Sequence, residues 1–355
     1  MLRRILIVAA LLVVPARAQE TAFPTAPPRA RYEPQADAQA IENFPYSRYH
    51  TIDEFDREIT FYISKLPAEV PAGSSLPLIV CVQGSGSQSV FLEVETPNGK
   101  RIGSGGPESV VLRDYRDKAR ILVVEKPGVT FLVQPQRPGG AEESSPEFRA
   151  EHTLDRWVEA LNASIRAASK IDGVDGSRVL ALGHSEGAQV VSHLAARNSA
   201  VTHVAALAGG GPTQLFDLLT LARAGVMGVP GATAQERADW MVAEWNKVLA
   251  DPQATDKFFL GHPYRRWTSF LQSSAVAALL NSKADVFLAQ GSADTAVAPA
   301  ATDAMYAELV ARGREVTYRR VEGADHGFMV SGDRQGWVDT IHSAVDWFFA
   351  SRVDT

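Results

Sequence analysis

The chain has 355 residues, of which 45% are apolar and 21% charged. These are values for a globular protein with a substantial core, and they exclude a disordered, collagen-like or coiled-coil chain. A formal charge of −6 offers no basic surplus for nucleic acid, and the single cysteine excludes both an intramolecular disulfide and a cysteine-rich zinc site.

Residues 1–18 read as a secretory signal peptide. Arg3 and Arg4 form a basic start, Ile5 to Val14 are continuously apolar, and Pro15-Ala16-Arg17-Ala18 gives a breaker and a small-residue end. The apolar run is short of the about 20 residues that a membrane-spanning helix needs. Cleavage after Ala18 would remove three Arg and no acid, leaving 32 basic against 41 acidic residues, a charge of −9. The expectation is an exported protein, periplasmic or secreted, with no membrane attachment after cleavage. Residues 19–47 carry Pro24, Pro27, Pro28, Pro34 and Pro45 with few aliphatics, and read as a proline-rich arm rather than a packed element.

From Arg57 onward, short β-branched runs alternate with segments of helical period. Strands are predicted at 57–63, 77–83, 89–95, 120–125, 178–183, 202–208, 284–290 and 315–321. Continuous apolar runs such as Ile121-Leu122-Val123-Val124 suit parallel strands buried on both faces. Cys81 lies in one of them and reads as a buried small hydrophobe. Helices are predicted at 153–170, where Leu154, Trp157, Val158, Leu161 and Ile165 share one face, and at 186–197, 299–312 and 336–350. The fold class is therefore α/β: a mostly parallel sheet of about eight strands with helices on both faces, the first two strands forming an antiparallel edge. Residues 212–283 interrupt the alternation with helical patterns and eight aromatics, and read as a helical cap inserted into a core of 48–211 and 284–355.

The sharpest chemical signal is Gly183-His184-Ser185-Glu186-Gly187, between a predicted strand and a predicted helix. A serine on such a turn is exposed, and the two glycines remove side chains that would meet neighbouring backbone. A serine hydroxyl needs a base. Of the eight histidines, His184 lies within the turn, His193 is too far along the helix, and His342 falls in the last helix. His326, in Gly323-Ala324-Asp325-His326-Gly327-Phe328 after a late strand, can reach Ser185 across the strand ends. Asp294, after strand 284–290, supplies the orienting carboxylate in preference to Asp325 and Asp217, giving the chain order Ser185, Asp294, His326. Backbone donors for an oxyanion are expected at the Glu186 amide and, from the loop Gln83-Gly84-Ser85-Gly86-Ser87, at Ser85, with Gly86 second. A histidine base predicts activity that falls as pH drops through the ordinary imidazole range.

These segments resemble the α/β-hydrolase superfamily, in particular its esterase and dienelactone-hydrolase-like members, over roughly residues 57–350 less the insertion. The resemblance rests on 183–187, on Gly-Ser-Ala-Asp at 291–294 and on 323–328. One departure is that the oxyanion loop opens with Gln83-Gly84 where many relatives have His-Gly. What the resemblance implies is a serine hydrolase working through an acyl-enzyme on a small-molecule ester. Amide or peptide hydrolysis, thioester hydrolysis, and a catalytically silent binding protein of the same fold are the alternatives. No Gly-x-Gly-x-x-Gly after a strand, phosphate-binding loop or His-Glu-x-x-His is present, so neither cofactor nor metal is expected. Arg265 and Arg266 in the insertion read as a solvated basic pair.

Overall fold

The computed structural model describes residues 30–97, 99–137 and 139–351. The predicted signal peptide and residues 19–29 of the arm lie outside the described residues.

In chain order the elements are β1 (Gln35–Ala36), β2 (Tyr46–Ile52), β3 (Glu58–Ser64), β4 (Leu76–Val82), β5 (Phe91–Thr96), β6 (Gly99–Ser104), α1 (Pro107–Tyr115), β7 (Arg120–Val124), α2 (Pro146–Glu151), α3 (Leu154–Ala168), β8 (Val174–His184), α4 (Glu186–Arg197) and β9 (Val201–Leu207). The insertion follows with α5 (Gln214–Ala224), α6 (Ala234–Ala250), β10 (Phe258–Phe259), β11 (His262–Pro263), α7 (Tyr264–Leu271) and α8 (Ala275–Leu280). The chain closes with β12 (Asp285–Gly291), α9 (Pro299–Ala311), β13 (Val316–Val321) and α10 (Gln335–Ala350).

Nine strands form one sheet in the order β1-β2-β3-β7-β4-β8-β9-β12-β13. The strands from β7 to β13 in that order run parallel, and β1, β2 and β3 make an antiparallel edge; the second predicted strand, β4, is not part of that edge but lies inside the parallel run between β7 and β8. The central runs are buried on both faces and split by strict alternation. Leu78, Val80 and Val82 face a core shared with Trp157 and Leu161 of α3, Val191 of α4 and Met305 of α9. Ile79 and Cys81 face the opposite core, with Val111 of α1 and Ile341 and Phe348 of α10. Burial pushes the Cys81 thiol well above its ordinary range.

Three other expectations change. Strand 89–95 corresponds to β5, which pairs only with β6 in a separate hairpin. Its exposed Glu93 and Glu95 alternate with Leu92 and Val94, so it covers one face at most, unlike the continuous runs of the sheet. Strand β2 was not predicted, because Tyr46–Ile52 mixes aromatics with Arg48 and His50, nor was the two-residue β1; these two beside the seven predicted strands that join the sheet make nine. Finally, the far end of the arm is packed. Phe44 is 2% exposed, meeting Tyr62, Phe91 and Phe131 ring to ring.

Residues 212–283 hold four helices, and Leu218, Met241, Trp245, Val248 and Trp267 give α5, α6 and α7 a small core of their own. Phe270, Val276 and Leu279, from the same stretch, belong to the main core beside α4.

Candidate active site

The turn after β8 is built by close backbone approach. A Cβ on Gly183 would stand 2.2 Å from the Gly187 carbonyl oxygen, and one on Gly187 would stand 2.4 Å from that of Val82. Only glycine fits at either position. Ser185 between them has φ 60° and ψ −122°, a conformation costing an L-residue on the order of 1–3 kcal/mol. It is held there by its N–H to the Leu207 carbonyl (2.9 Å) and by its own carbonyl, which accepts from Ala188 N–H (3.0 Å).

Asp294 and His326 meet directly. The Asp294 side chain is buried at the end of β12. Its Oδ1 accepts from the backbone N–H of Ala296 (2.8 Å) and Val297 (3.0 Å). Its Oδ2 accepts from Gln290 Nε2 (2.9 Å) and faces His326 Nδ1 at 2.8 Å. Burial pushes Asp294 up, but the His326 ring and the two backbone N–H groups more than offset it and hold the acid below its usual range. An ionised carboxylate can only accept, so Nδ1 carries the ring proton and Nε2 keeps a free lone pair. His184 Nε2 donates to the His326 carbonyl (2.8 Å), tying the turn after β8 to the loop after β13. Burial lowers His184 to about 4, so it is a neutral donor. The rivals are placed otherwise. Asp325 accepts from Gly327 and Met329 N–H and shapes its own loop. Asp217 accepts from Ala298 N–H at 2.5 Å, and burial pushes it up to about 7. His193 lies within α4, and His342 pairs with Asp114 on the α10 side.

The loop after β4 abuts Ser185: a Cβ on Gly84 would stand 3.3 Å from the serine Cβ. Lys126 Nζ donates to the carbonyls of Gly84 (2.7 Å) and Gly86 (3.1 Å). In a planar trans peptide the N–H points opposite to the C=O. The Ser85 N–H, which shares its peptide with the Gly84 carbonyl, is therefore directed away from Lys126. The Glu186 N–H opens α4 and has no helical acceptor.

The same ammonium reaches the Glu186 carboxylate at 3.0 Å. His152 Nε2 meets that carboxylate at 3.0 Å, and Arg266 meets it at 2.6 Å. The side chains of Glu186, Lys126, His152 and Arg266 are all essentially buried. Burial pushes Glu186 up, but Lys126, His152 and Arg266 together hold it well below the carboxylate range. Burial lowers His152 to about 4, so it is neutral. Arg266 corrects the sequence expectation for the pair. It is 2% exposed, sandwiched between the rings of Trp267 (4.1 Å) and Phe270 (4.2 Å), because the buried carboxylate draws it inward. Arg265 donates to Gln253 on the insertion's outer side.

Ser185 stands between two cavities. The larger, about 620 Å³, contains His326 and is walled by Val90, Leu92, Pro107, Met329 and Trp337. The smaller, about 240 Å³, is walled by Gln214, Asp217, Leu218, His262 and Arg266 and lacks His326. Ser85 borders both. The insertion thus shapes the smaller cavity alone; the β5–β6 side and α10 shape the larger. Among the described residues no hydrogen bond joins Ser185 Oγ to His326, yet both line the larger cavity, a looseness common where no substrate is bound.

The model of a family described as the alpha/beta hydrolase family matches residues 109–339. The chain belongs to the alpha/beta hydrolase family. Among solved structures it is similar to Est1E from Butyrivibrio proteoclasticus (TM-score 0.51, 14% identity, 86% of this chain and 99% of that one). It is also similar to the Pyrococcus horikoshii acylaminoacyl peptidase (TM-score 0.57, 14% identity, 87% and 42%). A third is the Mycobacterium tuberculosis puromycin-hydrolyzing peptidase (TM-score 0.54, 15% identity, 88% and 40%). The chain spans about two fifths of the length of these peptidases. At such identities the likeness is one of fold. No curated protein matches the chain. Among the described residues no helix is long and apolar enough to cross a membrane, and no group of three or more His, Cys, Asp or Glu is placed to hold a metal ion.

Sequence reasoning missed Lys126, His152 and Arg266 in this alpha/beta hydrolase. The available signal was a Glu-Lys pair, Glu125-Lys126, directly after an apolar strand at the rim that carries the site. Glu125 itself is buried, accepting from Ser89 Oγ at 2.5 Å. Burial pushes it up to about 7. The fold therefore favours the protonated acid, and this contribution is full below the ordinary carboxylate range and lost as pH rises through about 7. Glu125→Gln removes that dependence. The stability of the native protein relative to this variant should fall by roughly 2–3 kcal/mol between about pH 5 and pH 8. Denaturant melts at the two pH values check this, and parallel curves would mean that Glu125 is ionised in the fold.

Proposed function

We propose that this alpha/beta hydrolase is an exported serine esterase, with Ser185 as nucleophile, His326 as base, Asp294 as orienting acid and the Ser85 and Glu186 amides as oxyanion donors. The observation that carries the reading is the 2.8 Å contact of His326 Nδ1 with buried Asp294, on a ring that shares a cavity with the strained Ser185. Nε2 takes the Ser185 proton as Oγ attacks the ester carbonyl, and the two amides hold the resulting oxyanion. The intermediate collapses as His326 protonates the departing alcohol. Water then attacks the acyl-enzyme with its proton passing to Nε2, and release of the acid returns that proton to Oγ. The small-molecule ester needs no cofactor beyond these groups.

Peptide hydrolysis is the second reading, favoured by the peptidases among the similar structures. Assays on p-nitrophenyl esters and on aminoacyl-p-nitroanilides separate the two. Ester turnover that exceeds anilide turnover by about 100-fold or more, relative to the uncatalysed rates, is expected; the reverse ranking would make the protein a peptidase. A fluorophosphonate probe should label the wild type and not Ser185→Ala, and failure to label either would favour a silent binding protein. Export is part of the proposal and rests on residues 1–18 alone. A mature chain beginning at Gln19, read by N-terminal sequencing of the expressed protein, is expected.

A further inference from the structure

The two unequal cavities on either side of Ser185 bear on which half of a substrate goes where. In the reaction proposed above, the leaving oxygen must take its proton from His326 Nε2, so the alcohol departs on the side where the ring is open. That side is the cavity of about 620 Å³, which falls within the range of ordinary ligand pockets. The acyl substituent must extend the other way, past the Glu186 amide, into the cavity of about 240 Å³, which lies below that range. The two chambers also differ in chemistry. Leu92, Met329 and Trp337 make the alcohol side the more apolar, with Glu108 and Arg334 also on its wall, whereas Gln214, Asp217, His262 and Arg266 surround the acyl side.

Two features on the acyl side call for a polar occupant. His262 lines this cavity and is 5% exposed; its Nδ1 has no hydrogen-bond partner and is itself buried, so an occupant meets it only when the ring turns toward the cavity. Arg266 spends Nε and Nη2 on Glu186, while Nη1 reaches only Gln214, at 3.3 Å.

We propose that the substrate is an ester of a short acyl group bearing a hydrogen-bonding oxygen, such as a hydroxy acid, with a bulkier apolar alcohol. This rests on the esterase reading and refines it. The test is a panel of kcat/KM values on the full mature chain. p-Nitrophenyl butyrate, 3-hydroxybutyrate and octanoate vary the acyl group, and ethyl and 2-cyclohexylethyl butyrate vary the alcohol at similar leaving-group acidity.

The 3-hydroxybutyrate should exceed the butyrate by about tenfold, and the octanoate should fall at least about tenfold below it. The cyclohexylethyl ester should exceed the ethyl ester by about tenfold. Leu218→Ala, which opens the acyl cavity, should raise the octanoate-to-butyrate ratio. His262→Leu should bring the hydroxybutyrate-to-butyrate ratio toward one. Octanoate turned over as well as butyrate, no gain from the hydroxyl, or indifference to the alcohol would each overturn the assignment while leaving the protein an esterase. No Ser185-dependent turnover of any ester would instead remove the esterase reading itself.

Discussion

Ser185→Gly should abolish ester turnover and yet melt at a higher temperature than Ser185→Ala. The loss of activity follows from the proposed chemistry: without Oγ no acyl-enzyme forms, and removing a serine nucleophile typically costs about 10⁴–10⁶-fold in kcat. The stability difference follows from the backbone. At φ 60° and ψ −122° an alanine keeps the strain of the native serine, on the order of 1–3 kcal/mol, and a glycine does not. Part of that gain is offset by the freer unfolded chain that glycine brings, about 0.5–1 kcal/mol. Thermal melts of the two variants, alongside single-turnover assays with a p-nitrophenyl ester, measure both effects. Residual Ser185-independent turnover within about tenfold of the wild type would rule out Ser185 as the nucleophile. Equal melting temperatures would mean that the turn holds no more strain than that offset, about 0.5–1 kcal/mol.

The second large effect is expected at Glu186. Its carboxylate is the buried counterion of Lys126 and Arg266, so Glu186→Ala leaves two cations and a histidine facing an empty space. Breaking a buried ionic group in this way costs about 3–5 kcal/mol. Activity should fall as well. Lys126 holds the Gly84 and Gly86 carbonyls and so fixes the direction of the Ser85 N–H, and loss of one oxyanion donor costs about 10²–10³-fold in kcat. Lys126→Met separates the two roles, because Arg266 and His152 still meet the Glu186 carboxylate. It should lower kcat on a short ester more than it raises KM, since the oxyanion exists only after attack. Denaturant melts and steady-state kinetics on both variants test this. Glu186→Ala unfolding at the native midpoint would show that the cluster contributes no net stability. Lys126→Met with native kcat would show that the loop holds its conformation without the ammonium.

The presence and type of the sheet strands were legible where apolar residues fall on both faces, as in Ile121–Val124 of β7 and Val179–Leu182 of β8, since such runs have few other homes; their order in the sheet was not. The turn at Ser185 was legible because two glycines bracket it for a steric reason: a Cβ on either would stand 2.2 or 2.4 Å from a carbonyl oxygen. Asp294 and His326 were legible through chain order and their places after late strands. The ionic cluster was not. Glu186 meets His152, Lys126 and Arg266 across 34, 60 and 80 residues of sequence, and no local pattern marks a charge as buried. Arg266, in a run of polar and aromatic residues, looked solvated for that reason. The larger cavity was hidden likewise, since β5–β6, α1 and α10 meet around it from distant parts of the sequence.

Cys81 turns the centre of the molecule into its own clock. The sole thiol of the chain lies on β4, 4% exposed and flanked on both sides by β7 and β8. An alkylating reagent can reach that sulfur only when the cover over its face of the sheet, α1 and α10, lifts away, so the pace of its modification reads out the rate at which that core opens, with no label to attach and no competing site to subtract.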